Sequence, residues 1–202
     1  MIVRLHSYTP LNVAISAIRT CWDSQSKSNP EADAALLNRI VHKHKHLSTI
    51  EHLIYNFEIF GISRGCLQEL VRHRLASYSV KSTRYTLKEL LNSTNMEHFI
   101  VKSNNNEIDS YNIKTLEKMK ELKESGVPND TLKYMLPEAF KTHLHFSINA
   151  RSLRNFFELR LKKDAHFEIR KLANLIFQAL PKEHSQIFED FLPMIQTEEQ
   201  NA

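Results

Sequence analysis

Cysteine is scarce in this 202-residue chain. Cys21 and Cys66 stand far apart and form no CxxC pair, so neither a disulfide framework nor a thiolate zinc site is indicated. Three Gly and six Pro are too few for the many tight turns of a sandwich or barrel and favour a helix-rich chain. No apolar run approaches the roughly 20 residues that span a bilayer. Arg4, His6, Pro10 and Asn12 interrupt any secretory apolar core, so the cytoplasm is the expected compartment, with no membrane partner. A strong excess of one charge is lacking too. The net charge is +4, the pI about 9.0, and there are eleven His, which suits anionic ligands without requiring nucleic acid. Apolar content of 42% and charged content of 25% are those of a globular chain with room for a sizeable core. No Walker loop, Gly-x-Gly-x-x-Gly or Gly-x-Ser-x-Gly occurs, and neither cysteine has a base beside it. An enzyme built from such residues works by positioning and electrostatics.

What the chain does hold is Arg72 to Tyr85, with three Arg, one Lys, one His, three Ser and one Thr, and no acidic residue. Guanidinium groups interleaved with hydroxyls suit phosphate oxygens. The plain alternative is a solvated basic helix end. Leu70, Val71, Leu75 and Ala76 bracket the charges with apolar residues, which places the segment close to a core.

In chain order, residues 2–8 read as a short strand and Pro10 as part of a first helical turn. A helix then runs to Cys21 and Trp22 and a polar loop from Ser24 to Pro30. A second helix is expected from Glu31 to His46, with Ala35, Leu36, Ile40 and Leu47 toward the core. His42 and His46, spaced i, i+4, would share its face with Glu51 or His52 near, a metal-ligand spacing without an HExxH pattern; clustered His and Lys are commonly just solvated. Leu53 to Ile62 alternates as a strand, with Tyr55, Phe57 and Ile59 on one face. Ser63 caps a helix whose last turns would be Arg72, His73 and Arg74, where the helix dipole favours cations. Ser77 to Tyr85 reads as a loop with backbone N–H groups free for a phosphate. Residues 92–112 form an Asn-rich excursion with one strand at most. A helix follows over 113–124, ended by Gly126 and Pro128, and Asn129 or Asp130 caps the next. Thr142 to Ala150 alternates, with His143, His145, Ser147 and Asn149 on one face, a wet cleft wall or an exposed strand face. Two helices with apolar stripes at Leu153, Phe156, Phe157 and Leu161, and at Ile169, Leu172, Ala173, Ile176 and Leu180, close the chain, with Asp164 as cap between them. Pro181 and Pro193 frame a short last helix. The fold class is α/β (α+β): a mixed sheet flanked by helices in one domain over 1–192, with a polar tail over 193–202.

Arg72-His73-Arg74, seven residues, then Ser82 resembles the Arg-His-Arg-x7-Ser signature of the flavin-dependent thymidylate synthases, and the resemblance extends over nearly the whole chain. The segment His42 to His52 resembles that family's His-rich stretch ending in Glu-His, here Glu51-His52, with Ser48 where Thr is usual. Leu136-Pro137 before Asn149-Ala150-Arg151-Ser152, the stretch Leu159-Arg160-Leu161 and Glu168-Ile169-Arg170 match further elements. The resemblance implies reductive methylation of dUMP to dTMP, with methylenetetrahydrofolate as carbon donor, NADPH as hydride source and FAD as cofactor, and no metal. It also implies a homotetramer with shared sites. Arg72, His73 and Arg74 would contact FAD, with His46, Ser48, Val80, Leu159, Arg160 and Leu161 around it. Glu69, Arg72, Val80, Lys81, Ser82, Thr83, Arg84 and His143 would meet dUMP, and Arg170 would lie on the uracil ring as the catalytic residue. The family often has Gln at Glu69, Glu at Val80 and Arg at His143. His143 weakens that anionic contact or makes it pH-dependent. Cys21 matches a position near the nucleotide entrance.

Two other classes compete on residues alone. A nucleic-acid module would use the basic segment with Tyr78 and Tyr85 and would bind in a salt-dependent way. A His-metal hydrolase would carry metal on purification. The basic residues gather in one motif instead of spreading over a surface, which favours a small anionic ligand.

Overall fold

The computed structural model describes residues 1–195, so the expected tail over 193–202 lies, from residue 196 on, outside the described residues. Four strands, β1 (Ile2–Tyr8), β2 (Ile54–Ser63), β3 (Ala76–Val80) and β4 (Lys141–Asn149), form one sheet in the order β1-β2-β4-β3. Thr9 N–H donates to Ile54 O, Ala150 N–H to Leu53 O, Arg64 N–H to Phe140 O, and Lys81 N–H to His143 O. Each of these bonds joins the end of one strand to the start of its neighbour, so every pair is antiparallel. The expected mixed sheet is therefore corrected. β2 and β3, joined through a helix, do run the same way, but β4 inserts between them.

The strand faces follow the side-chain period of two. Thr142, Leu144, Phe146 and Ile148 of β4 are buried, while Lys141, His143, His145, Ser147 and Asn149 face away. Tyr55, Phe57 and Ile59 of β2 are fully buried.

Ser63 caps the helix Arg64–Leu70, its Oγ accepting from Cys66 N–H at 2.9 Å. That helix stops at Leu70. Cys66 and Leu70 are its buried stripe, and one more turn would aim Arg74 along the same stripe. Arg72, His73 and Arg74 are thus not helical turns, and the expectation of a dipole-favoured site for them is corrected. Val71 and Leu75 are exposed, not packed on a core. Ser77 to Tyr85 is no loop either: it is β3 followed by a helical turn, Thr83–Thr86.

The helix expected over 31–46 is Pro30–Asn38 followed by a π turn, Arg39–Lys43. Leu37, Ile40 and Val41 are its buried residues, whereas Ala35 is exposed and Leu36 half-buried. Lys45 adopts a left-handed φ of 53°, which breaks the helix before His46. His42 and His46 therefore share no helix face; His42 Nε2 donates to Gln186 O at 2.7 Å.

Chain contacts divide the molecule into two compact units. The first comprises Met1, 59–72 and 79–144, with a core of Leu87, Leu90, Met96, Ile100, Leu116, Met119, Leu132 and Phe140. Its long helix starts at Asn106, inside the expected Asn-rich excursion, because Asn105 Oδ1 accepts from Glu107 and Ile108 N–H. Gly126, with φ 93°, ends it. Pro128, not Asn129 or Asp130, holds the next cap position, and Asn129 Nδ2 donates to Arg84 O at 2.8 Å.

The second unit comprises 2–58, 73–78 and 145–202. Its core is aromatic: Phe157 meets Phe156, Phe177, Phe188 and Phe191 with ring centroids 5.5–5.8 Å apart. Asn149 caps the helix Ala150–Arg160, accepting from Ser152 N–H at 2.8 Å. His166, not Asp164, caps the helix Phe167–Gln178, with Nδ1 accepting from Glu168 N–H at 3.4 Å.

Candidate active site

In the second unit the short coil before β3 is pinned by its central residue. His73 is buried, its ring edge-on to Phe156 at 5.0 Å. Arg160 Nε donates to His73 Nε2 at 3.1 Å across 87 residues of sequence. An arginine nitrogen only donates, so the imidazole Nε2 is the acceptor. Tyr78 OH donates to the His73 carbonyl oxygen at 2.7 Å while its ring stacks on Phe146 at 5.3 Å. Burial pushes the Tyr78 phenol up to about 12, so it keeps the proton it donates. These contacts hold the imidazole and leave Arg74 turned outward and exposed.

The helix Ala150–Arg160 supplies the remaining expected residues here. Leu161 is buried below it, and Leu159 stays on the surface. Its first turn is tied by Arg151 to Glu51 at 2.6 Å, next to the 3-10 turn Leu47–His52 that carries the exposed Ser48. The His44 and His46 rings lie 5.7 Å apart and line a cavity of about 670 Å³ with Arg19, Trp22, Lys27 and Arg39. Arg170 is half-buried and donates to the carbonyls of Lys163 and Ala165. Its guanidinium thus secures the loop before its own helix.

The first unit holds the other cations. Arg72 is exposed, with Nη1 3.8 Å from Glu69 Oε1. Lys81 Nζ donates to Glu89 Oε2 at 2.6 Å, and Arg84 Nε lies 3.4 Å from Asp130 Oδ1. Ser82 and Val80 are exposed. The carboxylates absent from residues 72–85 are supplied by neighbouring segments, a compensation that spacing within the motif could not reveal. His143 stacks on Phe60 with centroids 4.5 Å apart and 26° between planes. These two rings, with Lys81, Thr83, Glu89, His98 and Lys141, line a cavity of about 280 Å³.

Sequence reasoning missed Lys141 and His98. Carrying the alternation of β4 one residue back from Thr142 would have put Lys141 on the face of His143; nothing local points to His98. It also missed the pair formed by the buried Arg19 and the half-buried Asp33. Arg19 Nε donates to Asp33 Oδ1 at 2.6 Å, and the Ser28 hydroxyl bond together with Arg19 holds that carboxyl below the usual range. Among the described residues no three His, Cys, Asp or Glu side chains gather as metal ligands, and no helix is long and apolar enough to cross a membrane.

The model of the family described as thymidylate synthase complementing protein matches residues 4–184. The chain is 49% identical over 202 residues to the flavin-dependent thymidylate synthase of Campylobacter jejuni, covering 95% of this chain and 98% of that protein. The enzyme of the same name from Sulfurisphaera tokodaii is 34% identical over 197 residues, 93% of this chain and 76% of that one. Thymidylate synthase X from Helicobacter pylori, solved with FAD and dUMP, superposes with a TM-score of 0.89 at 46% identity, over 95% of this chain and 99% of that chain. Family model, relatives and solved structure agree with the motifs: the chain belongs to the flavin-dependent thymidylate synthases.

Proposed function

We propose that this chain, read as one catalytic domain over 1–192, converts dUMP to dTMP as a homotetramer with shared active sites. Methylenetetrahydrofolate would be the carbon donor and NADPH the hydride source. The observation that carries this reading is the bond between Arg160 and His73, since it joins two separately matched motif pieces, both assigned to the flavin. The donor set fits an anionic dinucleotide: the outward guanidinium groups of Arg72 and Arg74 flank a buried imidazole that fixes their backbone. Bound FAD supplies the hydride chemistry. His46, Ser48, Val80 and the stretch Leu159 to Leu161 complete the flavin surroundings.

Ser82, Thr83, Arg84 and Lys81 cradle the nucleotide phosphate. Lys81 and Arg84 rest meanwhile on Glu89 and Asp130, surface pairs worth at most about 1 kcal/mol that a dianion can displace. Arg72, held near Glu69, reaches the same ligand and offsets the repulsion that Glu69 would otherwise exert. Arg170 lies on the uracil, where a cation favours the ring's ionised form and so polarises it for attack.

The test is a purified sample with flavin absorbance that forms dTMP from dUMP when both co-substrates are present. Arg170→Ala should keep the flavin and lower kcat by about 10²-fold, the loss typical of a removed transition-state donor. A colourless protein without affinity for FAD or dUMP would overturn the reading.

A further inference from the structure

The cavity of the first unit holds more positive charge than the matched motifs account for. Side chains two apart on a strand project to one face, so Lys141 and His143 are neighbours on β4. Both line the cavity with Lys81, Thr83 and His98. Glu89 is the one carboxylate among the lining residues, and it is taken by Lys81 at 2.6 Å. Among the described residues Lys141 Nζ donates to the carbonyl oxygen of His98 alone, at 3.1 Å. That partner is neutral, so the ammonium charge is left uncompensated at the cavity wall.

His143 cannot do the work of a guanidinium there. Its ring lies nearly flat on Phe60, and an imidazole offers two nitrogens at its edge, not a five-donor fork. The lysine stem is four carbons long and its ammonium turns freely with three donors.

We propose that Lys141 is a specificity-determining residue, the cation on the β4 wall of this cavity that grips the 5′-phosphate of a nucleoside monophosphate, with His143 beside it as a lesser donor. This rests on the thymidylate synthase reading given above. Lys81 and Glu89 cancel, so Lys141 gives the cavity a net positive charge before the ligand arrives. A phosphate monoester carries about 1.5 to 2 negative charges near neutral pH. Lys81, drawn off Glu89, adds a second cation from the cavity wall, and the imidazoles of His98 and His143 join the Ser82, Thr83 and Arg84 donors around the phosphate.

Steady-state kinetics of the flavin-loaded protein test this, with dUMP varied and inorganic phosphate as competitor. In Lys141→Met the KM for dUMP should rise about tenfold or more, as for a lost charge-assisted hydrogen bond, with kcat and flavin content unchanged. Phosphate should lose potency as an inhibitor by a similar factor, and Lys141→Arg should restore both. Lys141→Gln replaces the Met variant if that one does not fold. An unaltered KM for dUMP in the charge-removed variant, or unchanged inhibition by phosphate, overturns the role of Lys141 while leaving the thymidylate synthase reading intact. A wild-type protein that neither binds dUMP nor forms dTMP brings down that reading and the role of Lys141 with it.

Discussion

The two halves of the Arg72–Tyr85 segment hold their charges in opposite ways. In the first half, His73 is buried, bonded to Arg160 and anchored through its carbonyl by Tyr78. In the second half, Lys81 and Arg84 rest on carboxylates at the surface, with Glu89 59% and Asp130 52% exposed. The first arrangement is a preorganised wall, whose geometry is set before any ligand arrives. The second is a set of exchangeable contacts, each weak enough for a stronger anion to take over. A cofactor kept through many turnovers suits the former, and a substrate that must leave suits the latter.

Removing the anchor should have the largest effect. His73→Ala leaves Arg160 without its acceptor and frees the coil, so flavin affinity should fall ten- to a hundredfold, measured by titrating the apoprotein and following flavin absorbance. If flavin binds as before, the anchored half is not a cofactor wall. Next comes Arg84→Ala, which should raise the KM for dUMP by about tenfold with flavin content unchanged. An equal loss of flavin would erase the distinction between the halves.

Smaller still is Glu89→Gln, which releases Lys81. It should tighten dUMP binding by less than about fivefold, and least at high salt, because only a screened surface pair is removed. Weaker dUMP binding would mean that Glu89 positions Lys81 instead of merely occupying it.

These contrasts were only partly legible in the sequence. The strict alternation of β4 and the apolar period of β2 identified both strands and their buried faces, because each pattern is local. Ser63 and Asn149 were readable as a cap and as a motif residue for the same reason. What could not be read depends on partners far along the chain. The end of the helix at Leu70 follows from where Arg74 would have pointed. The pinning of His73 needs Arg160, and the neutralising of Lys81 and Arg84 needs Glu89 and Asp130. Composition within residues 72–85 therefore suggested an unbalanced charge, when the balance lay outside the segment.

The smallest prediction concerns His184, a fully buried residue of the second unit whose Nδ1 shares a hydrogen bond with Tyr55 OH at 2.7 Å. Its Nε2 finds no hydrogen-bond partner among the described residues, although Glu183 Oε1 lies 3.4 Å away. Burial pushes the imidazole below its ordinary value, with Glu183 opposing. The unfolded chain then takes up a proton that the folded chain resists, so this contribution to stability is complete above the unfolded value, about 6.5, and is lost as pH falls through the folded one. The melting temperature should drop between pH 7 and pH 5, and His184→Gln should flatten that drop. An unchanged slope would remove His184 as its source.

The π turn at Arg39–Lys43 carries a further consequence. A π turn takes one residue more than an α-helix needs to cover the same rise, and so works as a built-in register shift. Were these same residues wound as an ordinary α-helix, everything after them would be swung round by about 100°. His42 would be pulled off Gln186, and the two imidazoles beyond Lys43 would be carried away from the cavity they now edge. The surplus residue is thus a phase adjuster: it lets the helix serve the aromatic core with one side and still deliver its histidines to another.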